Sequence, residues 1–140
     1  MSDSSDDVLA RIRAVNDMAA FNRWCGIEVV AAEHGAATIA MPWRGEAAQY
    51  SGFLHAGLLG ALIDTACGFA AATLVGRVLA SHYAVNCLRP AVGSRFIARA
   101  RVVKPGKSQI FTSCELYAES QDGEKLVATG ETLLVVVGEG

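Results

Sequence analysis

Apolar positions along the chain change their period twice, and those changes predict its elements. Over residues 7–23, Val8, Ile12, Val15 and Ala19 recur at helical spacing, with Asp6 or Asp7 as the expected N-cap. Residues 1–6 are expected to form a disordered tail, and residues 7–140 a single domain. Gly26 ends the first helix. Residues 27–32 and 36–41 read as two short strands about a turn at Glu33-His34-Gly35. A loop follows to Phe53, with Trp43 and Tyr50 as its expected anchors. Residues 55–75 form a nearly unbroken apolar helix. After Gly76 the period becomes two, which predicts strands over 81–88, 94–103, 108–119 and 125–137. The Pro105-Gly106 and Asp122-Gly123 pairs mark turns between them.

This order is helix, two strands, long helix, four strands. It describes an α+β fold in which one buried helix packs on an antiparallel sheet of five or six strands. The composition of the long helix agrees. Gly57, Gly60, Ala61, Ala66, Gly68 and Ala70 to Ala72 allow close backbone approach, despite the helix propensity the glycines forfeit. Its length would also suit a membrane span. Against that stand its dilution by Ala, Gly, Cys and Thr, the mid-helix Asp64, and the soluble sheet pattern that follows.

Composition adds less. The 140 residues are 52% hydrophobic and 19% charged, a globular balance. The net charge of −2 resides in the leading tail, and the body is balanced, so nothing global points to nucleic acid or a membrane surface. The charge is unevenly spread, however. No acidic residue lies between Asp64 and Glu115, where Arg77, Arg89, Arg95, Arg99, Arg101, Lys104 and Lys107 all fall. Arg95, Arg99 and Arg101 share one parity and read as a solvated strand face; the alternative is contact with an anionic ligand such as a phosphate. Cys25, Cys67, Cys87 and Cys114 are dispersed, as are His34, His55 and His82, so no metal-ligand spacing is visible. Reduced thiols and an acidic N-terminus unlike a secretory signal lead us to expect a cytoplasmic protein.

The chemistry concentrates at the long helix. From Ala56 to Gly76, Asp64 is the only charge, and burying a lone carboxylate requires a reason. It caps a neighbouring element, pairs with a buried arginine, or does chemistry. The helix start offers a partner for chemistry: first-turn amides are unpaired and carry the positive end of the macrodipole. The small residues Ala56 and Gly57 would let a substrate carbonyl approach those amides, which could stabilise an oxyanion. His55 could orient the loop or bond the substrate, and the Gln49 amide could reach the same carbonyl. Thr65, Ser81 or His82 could position water. Yet eight residues separate Ala56 from Asp64, about 12 Å of rise along one helix. Two copies packed with these helices antiparallel about a two-fold would bring each Asp64 to the partner's helix start.

At these residues the chain resembles the hotdog-fold acyl-CoA thioesterases, in the PaaI-like branch of the 4-hydroxybenzoyl-CoA thioesterase superfamily. The likeness spans residues 20–137 and rests on Gly52-Phe53-Leu54-His55-Ala56-Gly57 followed by Ala61-Leu62-Ile63-Asp64-Thr65. Asn86 with Arg89-Pro90-Ala91, Val103 to Ser108, and Ala128-Thr129-Gly130 add to it. The resemblance implies a carboxylate nucleophile or general base at Asp64, an amide donor at Ala56, and an Asn or Gln role at Gln49. It also implies sites at a homodimer interface, dimers that pair into tetramers, and phosphate contacts near Arg89 and Lys104–Ser108. Coenzyme A would enter only as part of the acyl-CoA substrate, with no separate cofactor. One departure stands out, since the family's His-Gly-Gly is here His-Ala-Gly. An alanine amide donates the same bond where φ is helical and is strained where φ is positive. A non-catalytic acyl-CoA-binding module is the alternative reading.

Overall fold

The computed structural model describes residues 4–138. Helix α1 (Ser5–Met18) and short α2 (Ala20–Cys25) precede strands β1 (Glu28–Glu33) and β2 (Ala36–Pro42). A single 3-10 turn (Gly45–Ala47) lies in the loop before α3 (Ala56–Ala72). Strands β3 (Arg77–Cys87), β4 (Arg95–Lys104), β5 (Gln109–Ser120) and β6 (Gly123–Gly138) complete the chain. They form one six-stranded sheet in the order β1-β2-β4-β5-β6-β3, with every neighbouring pair antiparallel.

All six strands contact α3. A flat sheet of six strands would be about 24 Å wide, whereas a helix is about 10 Å across, so the sheet must curl around it. Strand alternation fills the space between. On β5, Ile110, Thr112, Cys114, Leu116 and Ala118 are buried. From the helix, Leu59, Leu62, Ile63, Ala66, Cys67 and Ala70 share one core cluster with Cys114, Leu116 and Ala118, while Ala71 joins Ile110 and Leu134 in a second. The fold is the α+β arrangement that the periodicity and the resemblance both indicate. Among the described residues, no helix is long and apolar enough to cross a membrane.

The glycines divide by what surrounds them. A Cβ on Gly60 would lie 3.2 Å from the Tyr83 ring, and one on Gly130 only 2.7 Å from Ile63 Cγ2 and from the Ala84 carbonyl oxygen. These two give the close helix-to-sheet approach. Gly68 does not: nothing lies within 4 Å of its Cβ direction, although glycine there costs about 1 kcal/mol of helix propensity relative to alanine. Gly130→Ala should therefore destabilise the fold by about 1–3 kcal/mol, since both the strand and Ile63 must yield. Urea unfolding would measure it; an unchanged midpoint would mean that Ile63 moves aside freely.

Three expectations need correction. The first helix begins at Ser5 rather than Asp7, because Ser4 and Asp7 form a capping box with N–H to side-chain bonds of 3.2 and 3.4 Å. Residues 4–6 are thus structured, and residues 1–3 of the expected tail lie outside the described residues. The helix also breaks at Ala19 instead of running on to residue 23. Buried Asn16 holds the bend by donating to the Ile27 carbonyl at 2.9 Å and accepting from Asn22 at 2.9 Å. Finally, Tyr50 is no anchor. It is 99% exposed, while Trp43 packs edge-on against Phe96.

The two sheet edges differ. Helix α1 packs on β1, and Arg13 Nε donates to the Val29 carbonyl on that strand at 3.1 Å. Along β3, the other edge, no described element covers the strand, and Leu79 and Tyr83 are 61% and 50% exposed.

Candidate active site

The loop before α3 is built to hold the start of that helix. Gln49 Oε1 accepts from the amides of Ser51 and Phe53, and the Gln49 amide donates to the Phe53 carbonyl at 2.8 Å. These bonds close a tight turn and leave the Gln49 side-chain NH2 without an acceptor among the described residues, able to donate to a ligand. The His55 amide bonds the Ala47 carbonyl at 3.0 Å, and Leu54 bonds Ala91 at 3.1 Å. The helix start is thereby tied to both flanking segments.

His55 is the N-cap of α3, and its Nδ1 accepts from the Gly57 amide at 2.8 Å. Accepting at Nδ1 places the ring proton on Nε2, the atom left to donate to a ligand. A Cβ on residue 57 would stand 2.9 Å from Nδ1, so glycine is needed there to admit the ring. The Gly57 amide is consequently engaged within the chain, not available as the substrate contact expected of it. Leu58 and Leu59 donate to the His55 carbonyl. Among the described residues the Ala56 amide has no acceptor, which makes it the free donor of the first turn. Ala56 is helical, and no described non-glycine residue has positive φ, so the departure from His-Gly-Gly introduces no backbone strain. His55→Ala should lower stability by about 0.5–2 kcal/mol through loss of the cap. A thermal unfolding midpoint unchanged from wild type would show the cap to be dispensable.

Asp64 lies two turns further along the same unbroken helix, about 12 Å from Ala56. It is half-buried, and burial pushes its carboxyl pKa up. No described residue hydrogen-bonds it or pairs with it, which removes the capping and buried-arginine explanations. Its carboxylate opens into a groove of about 1010 Å³ between α3, the start of β3 and the N-terminal helices. Thr65 lines the same groove.

The other expected residues are dispersed. Tyr83 packs on Gly60, and two strand residues span about the rise of four helix residues, so Ser81 stands level with Asp64. Ser81 is the extra residue of a bulge against β6, and its hydroxyl donates to the Leu133 carbonyl at 3.3 Å. Neither Ser81 nor His82 lines the groove. Arg89 follows β3 at the end of the sheet near the start of α3, whereas Lys104 and Lys107 flank the β4–β5 turn at the opposite end. A strand length of roughly 30 Å separates them, so they cannot hold one phosphate within a single chain. Arg99 forms a two-bond pair with Glu124 at 2.8 and 3.0 Å, and Arg95 lies 3.7 Å from Glu119. Those arginines belong to the solvated outer face.

Sequence reasoning missed Arg11 of α1, which lines the groove and donates to the Ala72 and Thr73 carbonyls at the end of α3. Nothing local in the sequence signals a contact across 61 residues. It also missed Gly68, Phe69 and Ala72 as groove wall, although their i, i+4 and i+8 spacing from Asp64 and Thr65 was legible.

Comparison with known proteins identifies the family and supports the fold. Residues 51–125 match the family model described as the thioesterase superfamily. A thioesterase family protein from Silicibacter pomeroyi is 32% identical, with 94% of this chain and 99% of that one covered at a TM-score of 0.90. The Escherichia coli PaaI protein of the phenylacetic acid degradation operon shares the fold at 24% identity, a TM-score of 0.87 and 96% coverage of each chain. A Haemophilus influenzae thioesterase does so at 20% identity, with 99% and 93% covered and a TM-score of 0.79. No curated protein sequence gives a significant match. A family model matched over more than half of the chain, together with a relative 32% identical over nearly all of it, makes the protein a member of the thioesterase superfamily.

Proposed function

We propose that the protein is an acyl-CoA thioesterase that works as a homodimer. The observation that carries this reading is Asp64: a half-buried carboxylate without a partner among the described residues, opening into a largely apolar groove. As nucleophile it attacks the thioester carbonyl carbon to give a mixed anhydride and release coenzyme A thiolate, and water then hydrolyses the anhydride. As general base it takes a proton from water, whose oxygen attacks the same carbon, and collapse of the adduct breaks the C–S bond and releases coenzyme A thiolate with the free acid. In either case the carbonyl oxygen gains negative charge and needs a donor. The free amide of the partner subunit's Ala56 meets that need, helped by the positive helix end and the Gln49 side-chain NH2.

Assembly supplies the missing proximity. The uncovered β3 edge leaves backbone N–H and C=O groups and the exposed Leu79 and Tyr83 to be satisfied. Antiparallel pairing of two β3 strands about a two-fold joins the sheets and runs the α3 helices in opposite directions. Each Asp64 then approaches the other chain's α3 start. Arg89 of one chain and the Lys104–Lys107 turn of the other are also brought toward the same end, where they can meet the phosphates of coenzyme A. The departure at Ala56, which leaves the binding-only alternative open, carries little weight with a helical, unstrained backbone at that residue.

The test is free-thiol release from short, medium and aromatic acyl-CoAs by wild type and by Asp64→Asn. Hydrolysis that depends on Asp64 is the expected result. Equal rates for both proteins would remove Asp64 from the chemistry, and no hydrolysis across the panel would favour acyl-CoA binding without turnover.

A further inference from the structure

Gly68 poses a problem that the fold does not answer. It sits inside the central helix, where glycine is unfavourable, yet no neighbour requires its lack of a side chain. Gly60 and Gly130 are different, since Tyr83 and Ile63 occupy the space that a Cβ would need. The room beside Gly68 belongs to the groove. Asp64, Gly68 and Ala72 fall at i, i+4 and i+8, so they form one straight stripe along the groove wall. Phe69, Val78 and Leu134 make the adjoining apolar surface. At the far end stands Arg11, fixed by its bonds to the Ala72 and Thr73 carbonyls. From the reacting carboxylate to Ala72 this trough is about 12 Å long.

Resting on the thioesterase reading, we propose that the acyl group lies along α3 from Asp64 across Gly68 to Ala72. Gly68 is then the residue that sets how long an acyl chain the enzyme accepts. The trough suits an unbranched acyl group of medium length. A short acyl group ends before Gly68 and does not sense it. The competing explanation is that the partner's helix fills the space.

The experiment compares wild type, Gly68→Ala and Gly68→Met on acetyl-, butyryl-, hexanoyl-, octanoyl- and decanoyl-CoA, with oligomeric state followed by size-exclusion chromatography. Gly68→Met should lower kcat/KM for octanoyl- and decanoyl-CoA about tenfold or more. Acetyl-CoA turnover and oligomeric state should stay as in wild type, and Gly68→Ala should fall between. A uniform loss across all lengths, or a change in oligomeric state, would overturn the inference in favour of helix packing. Binding of S-alkyl-CoA thioethers of the same lengths, read by thermal shift, separates this inference from the reading beneath it. If wild type hydrolyses nothing but Gly68→Met still truncates the thioether series, the thioesterase reading falls and the acyl trough stands. No length dependence in either series removes the trough.

Discussion

Asp64→Asn should lower kcat about a hundredfold or more and, at neutral pH, make the protein more stable. The first effect follows from losing the only carboxylate among the described residues that line the groove. The second follows from the direction of the pKa shift, which burial raises. A carboxyl whose folded pKa lies above its unfolded one binds the extra proton when folded, so stability falls as pH rises from the unfolded value through the folded one. At neutral pH the ionised group carries that whole penalty. Asparagine carries none, and below the ordinary carboxylate range the two proteins should be equally stable. Urea unfolding of both at neutral and at acidic pH measures this. Wild-type kcat should also decline on the acid side with an inflection above the ordinary carboxylate value. A variant that is slow but no more stable at neutral pH would argue that Asp64 has a favourable ionic partner in the assembled protein.

Ala56→Pro tests the other half of the site with little disturbance. Residue 56 is the first of α3, a position proline tolerates, and His55 already has the extended backbone, φ −60° and ψ 136°, that suits a residue before proline. The substitution deletes the one N–H of the first turn that has no acceptor among the described residues and leaves the His55 cap in place. Loss of a single oxyanion donor should reduce kcat by about 10²–10³. If the two groups of one site come from different chains, the two inactive variants should rescue each other. Random reassociation of equal amounts makes half the dimers hybrid, each with one intact site, which restores about a quarter of wild-type activity. Denaturing and refolding the mixture, then assaying thiol release, gives the answer. Absence of recovery would mean that Asp64 and Ala56 do not form a shared site.

Much of the framework could be read in advance because its signals are local. Alternation of Phe96, Ala98 and Ala100 against Arg95, Arg99 and Arg101 marks a strand with one wet face, and that is where β4 and its outer ion pairs lie. The apolar run around Asp64 likewise identifies the wrapped helix. What escaped depends on contacts distant in sequence. The break at Ala19 is held by Asn16 reaching Ile27 and Asn22, which helical spacing does not reveal. Gly57, Gly60 and Gly68 look alike as letters, yet one admits an imidazole, one admits a tyrosine and one faces open space. Gln49 was legible as an amide, but not the use of its oxygen within the loop, which decides that only its NH2 can serve a ligand.

The unequal sheet edges bear on how far assembly can proceed. With β1 covered by α1 and by the Arg13 bond to Val29, β3 is the one sheet edge left open among the described residues. Pairing β3 with its own copy uses that side on both chains and leaves two blocked edges facing outward. In a homodimer paired in this way, growth by strand addition would stop after one step, because α1, which also walls the groove, would cover the edge left at each end of the joined sheet.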